Sequence, residues 1–409
     1  MRRIQITGLK NIPPNRPVIL VANHQNAMMD PVLCCSFFPP QLHWLTRADV
    51  FKQPTVRKLL TSFNMLPVYR DRDRISDMQE KNREVFNIVY NRLKQNAIIC
   101  LFPEGTHRGK KQLMTLKKGV ARMAAGAVDS GVENAVILPV GIDYEDYYNY
   151  RKDVLITIGE PIPLALYEAS LRTDPARTQN VLLQDIRRAM LKVMVNIDHD
   201  NEYDVLIGLR PLINEIADGD LQHQFEYYHQ LLEALPAQSE MAAALQTKGK
   251  IYLDKLNSIH GNDALHAPSQ KHLALPVLLS APIALIGALF FLPLYTLIEK
   301  IQKKLVKDPL FINSIRIVAW TFLTPLYLLL AMCLFSIGPL NWWQAISLIV
   351  GLSLAGRLSL WWYHNYQALK YHLHLKLLRR NNPQSYQSYA AARDEVKQVV
   401  LNVAKTFRK

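Results

Sequence analysis

His24 and Asp30 lie six positions apart in Asn23-His24-Gln25-Asn26-Ala27-Met28-Met29-Asp30, directly after a short apolar run over 17–22. An imidazole in such a place can take a hydroxyl proton near neutral pH, and a neighbouring carboxylate can fix its tautomer and stabilise its charged form. A second run, Phe102-Pro103-Glu104-Gly105-Thr106, ends another apolar stretch. Its glycine permits a tight turn in which backbone amides could face a phosphate or a developing oxyanion. The two runs together point to acyl transfer onto an alcohol. On an unbroken helix, six steps of about 100° put two side chains on different faces. The chain must therefore bend, leaving His24 on a loop and Asp30 in the first turn of the next helix. Pro31 agrees with that placement, since proline fits best at a helix start.

Four blocks in this order, Asn23-His24 with Asp30, then Arg70, then Phe102-Pro103-Glu104-Gly105, then Val136-Ile137-Leu138-Pro139-Val140, resemble those of the glycerophosphate and lysophosphatidate acyltransferases. Five residues separate His24 from Asp30 where the family usually has four, a variant associated with a glycerol-3-phosphate acyltransferase branch. His107 intervenes between Thr106 and Arg108 where the family usually places Arg directly after Thr. The second block keeps Arg70 but lacks the usual Gly and Phe.

The resemblance implies His24 as general base on the acceptor hydroxyl and Asp30 as its orienting partner, with the activated oxygen attacking the thioester of acyl-coenzyme A or acyl carrier protein. It assigns Glu104, Gly105, Thr106 and Pro139 to acceptor binding. Arg70 and Arg108 are the natural phosphate partners, because a guanidinium presents paired donors to phosphate oxygens. No metal or cofactor is implied, and Asp198-His199-Asp200 lacks further ligands at suitable spacing. The expected acceptor is lysophosphatidate, with glycerol-3-phosphate or a lyso-aminolipid as alternatives. A reading of another class is a membrane scaffold that keeps the fold without the chemistry.

Each residue also has a plainer reading. A lone histidine is more often structural. Arg70 opens an alternating charge run that reads as a solvated face, Arg108 adjoins Gly109, Lys110 and Lys111 as a basic surface would, and Pro139 reads as a strand end.

Elements able to position these residues follow from patterning. Strands are expected at 17–22, 42–46, 66–69, 97–102, 135–140 and 154–158, with helices at 75–95 and 118–130. This is an α/β class, with His24 and Glu104 just past the carboxyl ends of their strands; the resemblance implies a glycerolipid acyltransferase-like mixed sheet flanked by helices over 1–161. A helical accessory region over 162–268 is expected next, then a membrane region over 269–363 and a basic cytoplasmic helical tail over 364–409.

Two stretches, 273–298 and 317–340, carry no charged residue, and 342–362 carries only Arg357. Each is long enough to cross a bilayer core of about 30 Å. Basic residues at 300–316 and after 370 read as cytoplasmic, which makes 317–340 and 342–362 a transmembrane hairpin. The three prolines Pro276, Pro282 and Pro293 suggest that 273–298 breaks and returns as a re-entrant or interfacial segment. The expected location is the cytoplasmic (inner) membrane with the catalytic domain facing the cytoplasm. No apolar stretch follows Met1-Arg2-Arg3 before Pro17, so no leader is expected, and Cys34, Cys35, Cys100 and Cys333 show no bridge or metal spacing. The net charge of +14 calls for anionic lipids or an acidic acyl carrier protein rather than nucleic acid.

Overall fold

The computed structural model describes residues 2–38, 41–70, 77–149, 152–198, 200–261, 273–338 and 340–406. Residues 71–74 of the charge run, His199, Pro268, Pro339, Arg408 and Lys409 lie outside them. The chain forms two compact units, divided between Asn196 and Ile197.

The first unit is built on an eight-stranded sheet: β1 (Ile4–Thr7), β2 (Val18–Ala22), β3 (Leu42–Arg47), β4 (Met65–Val68), β5 (Ile98–Leu101), β6 (Val136–Tyr144), β7 (Val154–Ile158) and β8 (Ile162–Pro163). The spatial order is β1-β7-β6-β2-β5-β3-β4, with β8 also pairing with β6. Strands β6, β2, β5, β3 and β4 run parallel, whereas β7 and β8 pair antiparallel with β6. Helices α1 (Met29–Phe37), α2 (Pro54–Ser62), α3 (Met78–Lys94), α4 (Gly119–Asp129), α5 (Glu168–Thr173) and α6 (Pro175–Val193) connect and flank the strands.

The central strands are covered on both faces, which is why they read as continuous apolar runs. Ile19, Val21, Ile99 and Ile137 pack with Val89 and Leu93 of α3, Met123 of α4, and Leu182, Ile186 and Met190 of α6. Their alternates Leu20, Cys100 and Leu138 are fully buried as well. The core therefore draws on α5 and α6, and the first unit runs past residue 161. Pro139 does not end its strand, as the sequence suggested. It sits inside β6, between the residues paired with β8 (Val136, Ile137) and those paired with β7 (Val140 onward). A residue without an N–H fits at that change of partner, and its carbonyl accepts from Gly159 N–H at 2.9 Å.

Strand β6 continues to Tyr144, four residues beyond its pairing with Ala22 at the end of β2. That overhang borders the loop carrying His24. It also meets α6 closely, since a Cβ on Gly141 would lie 1.7 Å from the carbonyl oxygen of Val193.

The second unit is helical: α7 (Asp200–Ala217), α8 (Leu221–Ala234), α9 (Ser239–Ser258), α10 (Ala274–Leu305), α11 (Ile312–Ile337), α12 (Trp342–Asn381) and α13 (Pro383–Ala404). Asn341 caps α12 through a full capping box, and Asn382 with Pro383 starts α13. Helix α13 buries Tyr389, Val396, Val400 and Val403; Tyr389 stacks on Tyr252 of α9, and Arg393 pairs with Glu215 of α7. Three helical stretches, Ala274–Leu305, Pro309–Ile337 and Trp342–Asn381, are long and apolar enough to cross a bilayer. The break expected inside 273–298 does not form. Pro282 and Pro293 lie within one continuous 32-residue helix, and nothing in it reverses direction.

Because the Gly141 approach is backbone to backbone, Gly141→Ala should destabilise the first unit by about 1–3 kcal/mol or more, the usual penalty of overpacking. Gly119→Ala is the control, since its added Cβ meets nothing within 4 Å. Thermal unfolding of the two purified variants checks the contrast.

Candidate active site

Five parallel strands end on the same edge of the sheet, and the chemistry-bearing residues gather just past them. His24 follows β2, and Asp30 sits in the first turn of α1, as the six-residue spacing requires. The turn between them passes through Ala27 at φ +43°, a left-handed conformation that non-glycine residues adopt rarely. His24 Nδ1 and Asp30 Oδ2 are 2.8 Å apart.

Asp30 is fully buried and heavily hydrogen-bonded. Oδ2 also accepts from the backbone N–H groups of Gln25 and Asn26, both at 2.9 Å, and Oδ1 accepts from the Tyr144 hydroxyl at 2.6 Å. Donors converging on both oxygens define an ionised, acceptor-only carboxylate. His24 Nδ1 must then carry its proton, which leaves the Nε2 lone pair available as a base. Burial next to this carboxylate pushes the Tyr144 hydroxyl well above the ordinary tyrosine range, so it stays a donor.

The imidazole is held in plane as well as in tautomer. Phe102 stacks on it with centroids 4.0 Å apart and rings 10° from parallel, and His107 meets it edge-on at 5.4 Å. Asn23 ties the loop to the β6 overhang, donating to the Ile142 carbonyl at 3.0 Å and accepting from its N–H at 2.7 Å. Gln25 accepts from the Tyr147 hydroxyl at 2.7 Å. Asn26 is fully buried with neither amide atom hydrogen-bonded among the described residues, which leaves both atoms open to a water or a ligand group.

Glu104 is held between two loops. One oxygen accepts from His24 N–H at 2.7 Å and the other from Met114 N–H at 3.0 Å. With only 2% of its surface exposed, it clamps the His24 loop to the 102–118 loop. Burial raises its pKa to about 6, against the lowering effect of those two N–H groups. Gly105 takes φ +72°, and its N–H is engaged by the Phe102 carbonyl at 3.0 Å; the oxyanion donor expected there is used within the turn.

The rest of the 102–118 loop lacks regular structure but is braced from several sides. Arg108 N–H donates to the His24 carbonyl at 3.2 Å, and Asn196, just past α6, accepts from Leu113 N–H at 2.7 Å. Lys111 is buried against Asp143 at 2.5 Å and the Tyr144 carbonyl.

Thr106 and Arg108 are exposed on the 102–118 loop, where Arg108 Nη1 donates to Gln112 Oε1 at 3.3 Å, whereas Pro139 is buried within the sheet. Arg70 follows the edge strand β4, three strands from β2, roughly 14 Å at ordinary strand spacing. It lies near enough to Asp49 to help lower that carboxyl's pKa, behind the larger effect of Arg47. Among the described residues no three His, Cys, Asp or Glu side chains form a set that could hold a metal. Tyr144 carried little signal in the sequence: an aromatic residue in a strand is ordinary, and only the overhang of β6 makes it a neighbour of Asp30.

Residues 3–143 match the family model described as Acyltransferase. Over 132 residues, 32% of this chain, the sequence is 31% identical to "Glycerol-3-phosphate O-acyltransferase 2" of Saccharomyces cerevisiae, of which the match spans 17%. Over 206 residues, 48% of this chain, it is 23% identical to "1-acyl-sn-glycerol-3-phosphate acyltransferase alpha" of Mus musculus, of which the match spans 66%. The chain thus covers less than two thirds of either relative. The crystal structure of the 1-acyl-sn-glycerophosphate (LPA) acyltransferase of Thermotoga maritima matches 46% of this chain and 71% of its own at 22% identity, with a TM-score of 0.32, too loose a superposition to carry weight.

Glu104→Gln keeps the size of the side chain but sets an amide NH2 against one of two buried N–H donors. The variant should lose about 1–3 kcal/mol of stability, the usual cost of an unsatisfied buried group. Chemical denaturation at pH 8, where the native Glu104 is ionised, would measure the loss.

Proposed function

We propose that this protein is a membrane-associated acyltransferase that moves a fatty acyl chain from a thioester to the hydroxyl of a glycerophosphate-type lipid, with lysophosphatidate as acceptor. The observation that carries the reading is the His24–Asp30 pair, buried on its carboxylate side and open at Nε2, within a domain that matches the Acyltransferase family model.

In this mechanism His24 Nε2 removes the proton from the acceptor hydroxyl as its oxygen attacks the thioester carbonyl. The C–O bond forms, and the tetrahedral intermediate collapses with loss of the C–S bond. The imidazolium returns its proton to the departing thiolate. Asp30 stabilises the imidazolium through Nδ1, and Tyr144 keeps one carboxylate oxygen occupied so that the other is aimed at His24. No covalent acyl-enzyme is needed, and the buried thiols Cys34 and Cys100, whose pKa values burial raises, are poor nucleophiles.

Arg108, exposed and with its backbone N–H on the His24 carbonyl, is assigned to holding the acceptor's phosphate, with Thr106 as a further hydrogen-bonding group. Arg70 is a more distant phosphate partner on the same sheet edge. The donor is an acyl-coenzyme A or acyl carrier protein thioester, and the helices of the second unit anchor the protein in a membrane, which we assign as the cytoplasmic one. The similar yeast proteins named glycerol-3-phosphate O-acyltransferase favour a second reading in which glycerol-3-phosphate is the acceptor.

The test offers the detergent-solubilised full chain lysophosphatidate or glycerol-3-phosphate, each with palmitoyl-coenzyme A and with palmitoyl-acyl carrier protein, and reads products by mass spectrometry. Phosphatidate from the first acceptor is expected, with a loss of at least ~100-fold in His24→Ala, the lower range for removing a general base. Product only from glycerol-3-phosphate would move the assignment to the second reading. Unchanged activity in His24→Ala would remove the base from the mechanism.

A further inference from the structure

The arrangement of helices within the second unit bears on how many of the three long apolar helices among the described residues can cross a bilayer. Helices α10 and α12 run antiparallel along their contact. Trp362 Nε1 donates to the Val277 carbonyl at 2.7 Å, Ser359 Oγ donates to the Ala284 carbonyl, and Gly287 lies against the backbone of Ala355. Residue numbers rise on one helix as they fall on the other.

The amino-terminal end of α10 and the carboxyl-terminal end of α12 therefore share one end of the pair. The soluble helices mark that end. His374 on α12 reaches the Ile259 carbonyl just past α9 at 2.8 Å, and α13 then packs back onto α9 and α7 through Tyr252 and Glu215.

The opposite end holds everything between 299 and 342. Arg316 near the start of α11 donates to Gln302 at 2.6 Å and pairs with Glu299 at 3.1 Å. From Ala355, opposite Gly287, back to Trp342 is about 20 Å of helix, and from Gln302 to Gly287 about 22 Å. Trp342 and Gln302 thus stand at nearly the same level. Helix α11 begins at that level, and the four residues 338–341 must deliver the chain back to it. They span at most roughly 17 Å.

In between, Tyr327 touches the Phe290 carbonyl, about 18 Å from the level of Gln302 by helical rise. Pro325 lies inside α11, where a missing ladder bond allows a bend. The side chains turned outward are mostly apolar, among them Phe322, Leu326, Leu329, Leu330, Leu334 and Ile337, with Thr321 and Ser336 as polar exceptions.

We propose that α10 and α12 form a two-crossing hairpin and that α11, though long enough to span, is embedded in the single leaflet at the far end, its outward face against lipid acyl chains. Lys300, Lys303, Lys304 and Lys307 then lie at the headgroup level of that leaflet. The helices α7 to α9 and the basic tail share the other side. The partner is the bilayer itself, and the inference is independent of the reaction proposed above. It differs from the hairpin of 317–340 with 342–362 read from charge alone.

Full-length protein with Cys35 and Cys333 replaced by alanine, Cys34 and Cys100 being buried, would receive single cysteines as Lys303→Cys, Leu340→Cys or Gln387→Cys. Each is treated with a membrane-impermeant maleimide in sealed vesicles before and after permeabilisation. Labelling of a detergent-solubilised sample confirms that each thiol can react, and Lys304→Cys and Trp343→Cys replace any variant that fails to accumulate. Positions 303 and 340 should label from one side and 387 only from the other. Labelling of 303 and 340 from opposite sides, as three crossings or a 317–362 hairpin would give, overturns the proposal. So does labelling of all three from the same side.

Discussion

A fully buried carboxylate that accepts four hydrogen bonds is the constraint on which the site depends. Asp30 without partners would be expensive to bury as an ion. The donors that make it tolerable, His24 Nδ1, two consecutive backbone N–H groups and the Tyr144 hydroxyl, also dictate the loop's shape. The chain turns through Ala27 so that Gln25 and Asn26 can point their N–H groups at Oδ2. His24 follows as the next residue back, with one imidazole tautomer and one ring plane available to it. Preorganisation here is a by-product of satisfying a buried charge.

Two further buried polar groups extend the same logic outward. Glu104 joins the His24 loop to the 102–118 loop, and Lys111 with Asp143 joins that loop to the β6 overhang. Each replaces regular secondary structure where the chain has none. The sheet contributes the fixed edge: β2 and β5 are adjacent and parallel, so His24 and Phe102 leave their strands side by side and their rings stack. The strongly apolar, doubly covered strands behind them cannot shift register without exposing a whole face.

Much of this was legible beforehand. The central strands were readable because both faces are buried, and the bend between His24 and Asp30 followed from helical geometry alone. β1 was not, since Ile4–Thr7 is a short, partly exposed edge strand with polar residues at alternate positions; β8 is only two residues long. The clamp made by Glu104 was not legible, because a carboxylate after a strand has the same sequence signature whether or not backbone amides meet it. Tyr144 was missed because its role depends on how far β6 outruns β2, a tertiary property. In the second unit, charge and hydropathy counted apolar segments correctly but could not reveal which helix pairs with which. Gly287 and Gly356 admit the close approach of α10 and α12, a cue visible only once the partners are known.

If Asp30 acts through His24 rather than on its own, the two should be coupled. The most direct measurement is a double-mutant cycle on kcat/KM for acyl transfer, comparing His24→Ala, Asp30→Asn and the double variant, with folding of each checked by thermal unfolding. The double variant should be no slower than His24→Ala alone. Losses that add, each substitution lowering the rate by its full factor in the other's background, would contradict a base and orienter working as one unit.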